Sequence, residues 1–201
     1  MLWNLPKHCR IGRGRCTRLD GDPVSSLVQK VISIAESLDD AGIPWAIGGA
    51  LALAYATEEP RGTRDIDVNV FVPSNDARQV FESFPVGVVV TATDIRQAVD
   101  EAQVRLWWDD TPVNVFFAAA PFHLEVATRS HRVPFAGTEI SVLAAEDLAV
   151  FKAMFDRPKD WVDIDEMANS GALDRVTAAD RLEALLGDDD SRVARLAGGV
   201  S

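Results

Sequence analysis

Trp45-Ala46-Ile47-Gly48-Gly49-Ala50-Leu51-Ala52-Leu53, followed by Arg61-Gly62-Thr63-Arg64-Asp65-Ile66-Asp67-Val68, is the stretch whose reading decides the fold. Ile43 to Ile47 reads as a short buried strand that ends at Gly48-Gly49, and Ala50 to Ala56 as a helix of small residues. A strand–Gly-Gly–helix junction presents free backbone N–H groups at the positive end of a helix dipole, which suits a phosphate. The glycines let such a group approach the backbone closely. After a polar loop from Thr57 to Arg64, the chain alternates as a strand from Ile66 to Val72 and stops at Pro73. Asp65 and Asp67, two positions apart, share one face of that strand, while Ile66 and Val68 face the core. Two carboxylates this close repel each other unless a cation lies between them. A hard divalent cation, Mg²⁺ or Mn²⁺, takes carboxylate oxygens together with substrate phosphates and water.

Outward from this segment, Val24 to Ala41 has apolar residues at helical spacing and a natural stop at Gly42. Asn75 to Phe84 reads as a helix with Ser74 as N-cap, and Val86 to Val90 as a β-branched strand. Asp94 to Glu101 reads as a short helix or turn. Val104–Trp108 and Pro112–Phe117 flank Asp109-Asp110-Thr111 as a hairpin. Pro121 to Arg129 is helical, and a second hairpin turns at Ala136-Gly137-Thr138. From Ala144 onward the pattern is helical, at about 145–155, 160–169, 177–186 and 189–197. The expected class is α+β, a small mixed sheet flanked by helices with a helical C-terminal region. The expected division is a basic, disordered tail at 1–22, a core at 23–143 and a helical region at 144–201.

The chain has 201 residues and a net charge of −11. Lys7, Arg10, Arg13, Arg15 and Arg18 stand in a stretch without acids, so the rest of the chain carries −16. Such a body repels a phosphate backbone at long range, which argues against non-specific duplex binding. The tail has an RNA-binding arm as its sharper alternative. No apolar run approaches the 18 residues of a membrane span, and no apolar segment follows the basic N-terminus as in a secretory signal. Cys9 and Cys16, with six residues between them and outside any expected core, suit a reducing cytoplasm.

The combination of strand, Gly-Gly, helix, loop and Asp-x-Asp strand resembles the nucleotidyltransferase superfamily that includes DNA polymerase β, the CCA-adding enzymes and the aminoglycoside nucleotidyltransferases. The spacer from Ala50 to Arg64 is 15 residues, slightly longer than usual for that pattern. Four stretches also look like the AbiEii/AbiGii group of nucleotidyltransferase-like toxins: IGGALALAY (47–55), RGTRDIDVNVF (61–71), TPVNVFF (111–117) and AAEDLAVFKAMFDRPKDWVDI (144–164). The resemblance implies nucleotidyl transfer from a nucleoside triphosphate. It implies triphosphate binding at Gly48 and Gly49, and metal binding at Asp65 and Asp67. The acceptor would be a hydroxyl of RNA, such as tRNA, or of a protein, with an antitoxin as partner. The position of a third family carboxylate is occupied by Asn114, a neutral ligand that is no general base. A nucleotide-binding module without turnover is therefore one alternative, and an antibiotic-modifying nucleotidyltransferase another.

Thr63 and Arg64 are candidate phosphate contacts, with Arg61 beside them. Lys152 is a candidate for the catalytic set, and Arg157 and Lys159 for triphosphate or RNA. An acidic cleft would favour a cationic aminoglycoside, and a basic patch at Lys152, Arg157 and Lys159 would favour RNA. Pro158 fits the first turn of a new helix, and Asp160 reads as its cap or as a partner that orders Lys152. Asp163 and Asp165 are favoured there by the helix dipole. Trp107 and Trp108 read as hairpin packing rather than as a base-stacking platform. His123 and His131 lack metal-ligand partners. Glu125, Glu146 and Asp147 read as solvated or capping residues.

Overall fold

The computed structural model describes residues 23–198. The basic stretch 1–22, expected to be a tail, lies outside the described residues, as do Cys9 and Cys16. Helix α1 (Pro23–Asp40) buries Val31, Ile34, Ala35 and Leu38 along one stripe and ends before Gly42, whose φ is +65°. Strand β1 (Trp45–Ile47) is buried throughout and runs into α2 (Gly49–Thr57). Strand β2 (Ile66–Pro73) follows, with Ile66, Val68 and Val70 fully buried.

A 3-10 turn (Ser74–Asp76) leads to α3 (Ala77–Glu82), β3 (Val88–Val89) and α4 (Ala92–Glu101). Two local expectations are corrected here. The Ser74 hydroxyl caps no helix; it donates to the Val99 carbonyl at 3.1 Å. The strand expected at 86–90 contracts to two residues, because Val86 is fully exposed and only Val88 is buried. Residues 92–101 form a helix because Thr91 and Asp94 make a capping box, each satisfying the other's backbone N–H.

Strands β4 (Gln103–Trp108) and β5 (Thr111–Ala118) form a hairpin with Trp108 opposite Thr111. The loop is thus Asp109-Asp110, one residue shorter than expected. Helix α5 (Pro121–Arg129) leads to the hairpin of β6 (His131–Phe135) and β7 (Thr138–Val142). Its two loop residues, Ala136 and Gly137, both have positive φ, as a two-residue turn matched to strand twist requires. Four helices complete the chain: α6 (Ala145–Phe155), α7 (Pro158–Asn169), α8 (Arg175–Leu186) and α9 (Ser191–Leu196).

The strands form one sheet in the order β3-β4-β5-β2-β1-β7-β6. It is mixed: β2 runs parallel to β5 and β1 to β7, and the other neighbours are antiparallel. This is the mixed, helix-flanked sheet expected from the sequence. Strict alternation on β5 sends Val113, Val115 and Phe117 into the core and leaves Asn114 and Phe116 on the opposite face.

Asp147 departs most from its sequence reading. It is fully buried, and Arg129 from α5 holds both its carboxylate oxygens at 2.8 and 2.9 Å. Arg181 from α8 adds a bond of 2.9 Å, so this one carboxylate ties α5, α6 and α8 together. Glu146 accepts from the backbone N–H of Asp174, and Glu125 pairs with Arg129.

Candidate active site

Gly48 and Gly49 sit where β1 turns into α2. The Gly48 N–H donates to the Asp67 carbonyl at 2.8 Å, which fixes the loop against β2. Gly49 has φ +56°, and an added Cβ would collide with Asp67 Oδ2. A Cβ on Gly48 would come within 2.8 Å of the Asn69 amide nitrogen. Gly49 is therefore needed to seat the Asp67 carboxylate beside the start of α2, and Gly48 to leave room for the Asn69 amide. No side chain caps α2, so its first-turn N–H groups remain free to receive an anion.

The register of the sheet sets a row of side chains across three strands. Asp67 on β2 lies opposite Asn114 on β5, and Asn114 lies opposite Arg105 on β4. Asn114 Nδ2 donates to Asp67 Oδ1 at 2.8 Å, and Asn114 Oδ1 accepts from Arg105 Nε at 2.8 Å. The guanidinium also reaches to 3.9 Å from Asp65 Oδ2. Thr63 Oγ1 contacts both the N–H and the carbonyl of Asp65, at 3.2 and 3.1 Å, and so orders the loop ahead of β2. Burial pushes the Asp67 carboxyl above the usual range, and the charge of Asp65 adds to this. The Asn114 bond and the charges of Lys152 and Lys159 act the other way.

The opposite wall comes from α6 and α7. Lys152, almost fully buried, donates to Asp163 at 2.6 Å and lies 3.8 Å from Asp160. Asp163 also accepts from Arg61 at 2.9 Å, and Arg61 pairs further with Glu166. Asp160, fully buried, accepts both the Arg157 side chain at 2.6 Å and the Arg157 backbone N–H at the start of α7. The Arg157 guanidinium lies over Phe155 at 4.8 Å.

These groups line one cleft of about 680 Å³. It gathers Gly48, Gly49, Thr63, Asp65, Asp67, Asn114, Lys152, Arg157 and Lys159 of the sequence-based candidates. Arg64 is exposed and is not among the lining residues. Lys159 also lines the cleft and has no ion-pair partner among the described residues. His123 sits at the wall, packed against Phe122 and Phe151, where burial lowers its pKa. Trp107 and Trp108 lie outside it; Trp108 packs on the backbone of Gly87. Sequence reasoning missed Arg105, the bridging role of Asp163, and the apolar floor of Phe116, Met154 and Phe155.

Asp65 and Asp67 are the carboxylates placed to hold a divalent cation. No group of three His, Cys, Asp or Glu side chains converges as a metal site among the described residues. The Asn114 carbonyl oxygen faces Arg105 and its NH₂ faces Asp67.

Comparison with known proteins gives a consistent picture. The profile of the aminoglycoside-2''-adenylyltransferase family matches residues 30–169. ANT(2'')-Ia, solved in complex with adenylyl-2''-tobramycin, is 14% identical over 79% of this chain and 96% of its own, with a TM-score of 0.55. An antigenic nucleotidyltransferase-like protein from Paracoccidioides brasiliensis is 19% identical over 84% of this chain and 92% of its own, with a TM-score of 0.50. No curated protein matches the sequence.

Proposed function

The chain belongs to the aminoglycoside-2''-adenylyltransferase family, and from that premise we propose that it is a metal-dependent nucleotidyltransferase acting on the hydroxyl of a small molecule. The observation that carries the reading is the meeting of Gly48-Gly49, Asp65, Asp67 and Lys152 in one cleft. The residues fit a cation: Gly49 leaves the space that the Asp67 carboxylate fills, and Asp65 stands two positions away with no full counter-charge. A divalent ion such as Mg²⁺ at these two carboxylates would supply the charge that neutralises the reacting phosphates.

The chain's own groups do the rest. The free N–H groups at the start of α2 receive the triphosphate, and Lys152 and Lys159 face it from the other wall. Lys152 keeps two of its three donors for this after bonding Asp163. The acceptor oxygen forms a bond to the α-phosphorus as the bond to pyrophosphate breaks. Asn114 has no basic atom, so the proton of the hydroxyl passes to solvent.

The charge balance of the cleft bears on the acceptor. Asp65, Asp67, Glu101, Asp160 and Asp163 face Arg61, Arg105, Lys152, Arg157 and Lys159, so the lining is neutral overall. Lys152, Arg157 and Arg61 are each held by a carboxylate. The basic patch that would favour an RNA or toxin-like reading is thereby locally cancelled, and the acidic body disfavours RNA further. This supports a small hydroxylated acceptor, as in the antibiotic-modifying alternative.

The test is label transfer from each α-³²P nucleoside triphosphate, with Mg²⁺ or Mn²⁺. Three acceptor pools are offered: aminoglycosides including tobramycin, total tRNA, and cell protein. Label on a small molecule, lost in Asp67→Ala, is the expected result. Label on tRNA or protein would replace our acceptor with that of the toxin-like reading. Nucleotide binding by calorimetry without any transfer would leave a binding module, and transfer gained in Asn114→Asp would identify the cause.

A further inference from the structure

We infer that Arg105 supplies the second positive charge of this centre, so that the chain works with one bound divalent cation instead of two. The inference rests on the nucleotidyltransferase reading of the cleft. Asn114 has one carbonyl and one NH₂ at its tip, and each meets a charged side chain. Its carbonyl must face the guanidinium, which only donates, and its NH₂ must face the carboxylate, which only accepts. The opposite orientation would oppose like groups on both sides. The two partners thus orient the amide with its oxygen toward Arg105 and its NH₂, which cannot bind a cation, toward Asp67.

Arg105 is positioned by the sheet itself. On β4, Val104 and Leu106 are buried, which turns Arg105 to the face that carries Asn114 and Asp67. Its guanidinium spans from Asn114 to within 3.9 Å of Asp65, the more exposed of the two carboxylates.

The charge count supports the exchange. Asp65, Asp67, neutral Asn114 and Arg105 sum to one negative charge, and a single divalent ion brings the centre to one positive charge. Three carboxylates without the arginine would need two divalent ions to reach the same value. A second divalent ion added to the present set would sit against a fixed guanidinium, whose charge persists at all working pH values. Asn114 and Arg105 are therefore a matched pair. Asn114 removes the negative charge that a second metal would need, and Arg105 provides the positive charge that the metal would have brought.

The experiment counts metal ions. Mn²⁺ bound to the full chain is titrated by electron paramagnetic resonance, with α,β-methylene-ATP present at saturation. One Mn²⁺ per chain is expected for the wild type and for Arg105→Lys. Two are expected for the double variant Asn114→Asp/Arg105→Ala, with circular dichroism confirming its fold. Two ions in the wild type would overturn the role of Arg105, and that count suffices alone if the double variant does not fold. One ion in a folded double variant would overturn it as well. No bound Mn²⁺ in the wild type would instead remove the metal-dependent reading of the cleft.

Discussion

Gly49 and Asp67 occupy space that only one side chain can fill. Alanine at 49 would add left-handed strain of about 1–2 kcal/mol and force the Asp67 carboxylate to move. We expect Gly49→Ala to lower the melting temperature by several degrees and to abolish label transfer. Gly62→Ala, in the same segment but with open space around it, should be silent in both assays. Asp67 itself is held at a cost to the fold. Its pKa is raised, so the folded chain binds this proton more tightly than the unfolded chain does. Stability therefore falls as pH climbs from the unfolded carboxylate pKa through the raised folded value, and stays lower above it. Asp67→Asn should melt higher than wild type at pH 7, by about 2–4 °C for each kcal/mol relieved. The gap should close below roughly pH 3.5, where the unfolded carboxyl is also protonated. Thermal melts across pH, without added metal, check this. Gly48, Gly49, Asp65, Asp67 and Asn114 were legible in the sequence because motif and strand alternation fix them. Arg105 was not. A three-residue loop at 109–111 would set Leu106, not Arg105, opposite Asn114, and the real loop is one residue shorter.

At the level of elements, the loop that precedes β2 is fastened to α7 by Arg61. Asp163 holds Arg61 and Lys152 at once, and Glu166, one turn further along α7, holds Arg61 again. Asp163→Asn should cost about 1–3 kcal/mol, the usual loss for a bond to a charged partner in a half-buried site. Faster amide exchange over residues 58–65, with α7 protection retained, is the expected signature; unchanged exchange there would mean that Glu166 suffices. The elements themselves were largely readable, because each carries a clear period of apolar residues. What failed were features set by a single hydrogen bond or by a neighbour far along the chain. The capping box at Thr91 makes a helix of a segment that pattern alone left as helix or turn. Asp163 looks like a dipole-favoured first-turn acid until Arg61, 102 positions away, is brought to it.

Over the whole molecule, one buried carboxylate joins α5 to the C-terminal helices. Asp147→Ala would strand Arg129 and Arg181 without their partner, which typically costs about 3–5 kcal/mol for a buried pair. A fall in melting temperature on the order of 10 °C is expected by calorimetry. We expect a single transition in the wild type, because α6 carries Lys152 to the cleft and Asp147 to the helical layer on one rigid rod. Two separate transitions would instead favour residues 144–201 as an independent unit. The burial of Asp147 could not be read from sequence, since a first-turn aspartate ahead of Leu148 has the pattern of a solvated cap. Its partners also impose an order in time. During synthesis Arg129 and Asp147 emerge close together and can pair at once, but Arg181 follows Asp147 by 34 residues. Until it leaves the ribosome, the helix that walls the cleft lacks its outer clamp. A nascent chain should therefore carry Gly48, Gly49, Asp65 and Asp67 long before their cleft is complete.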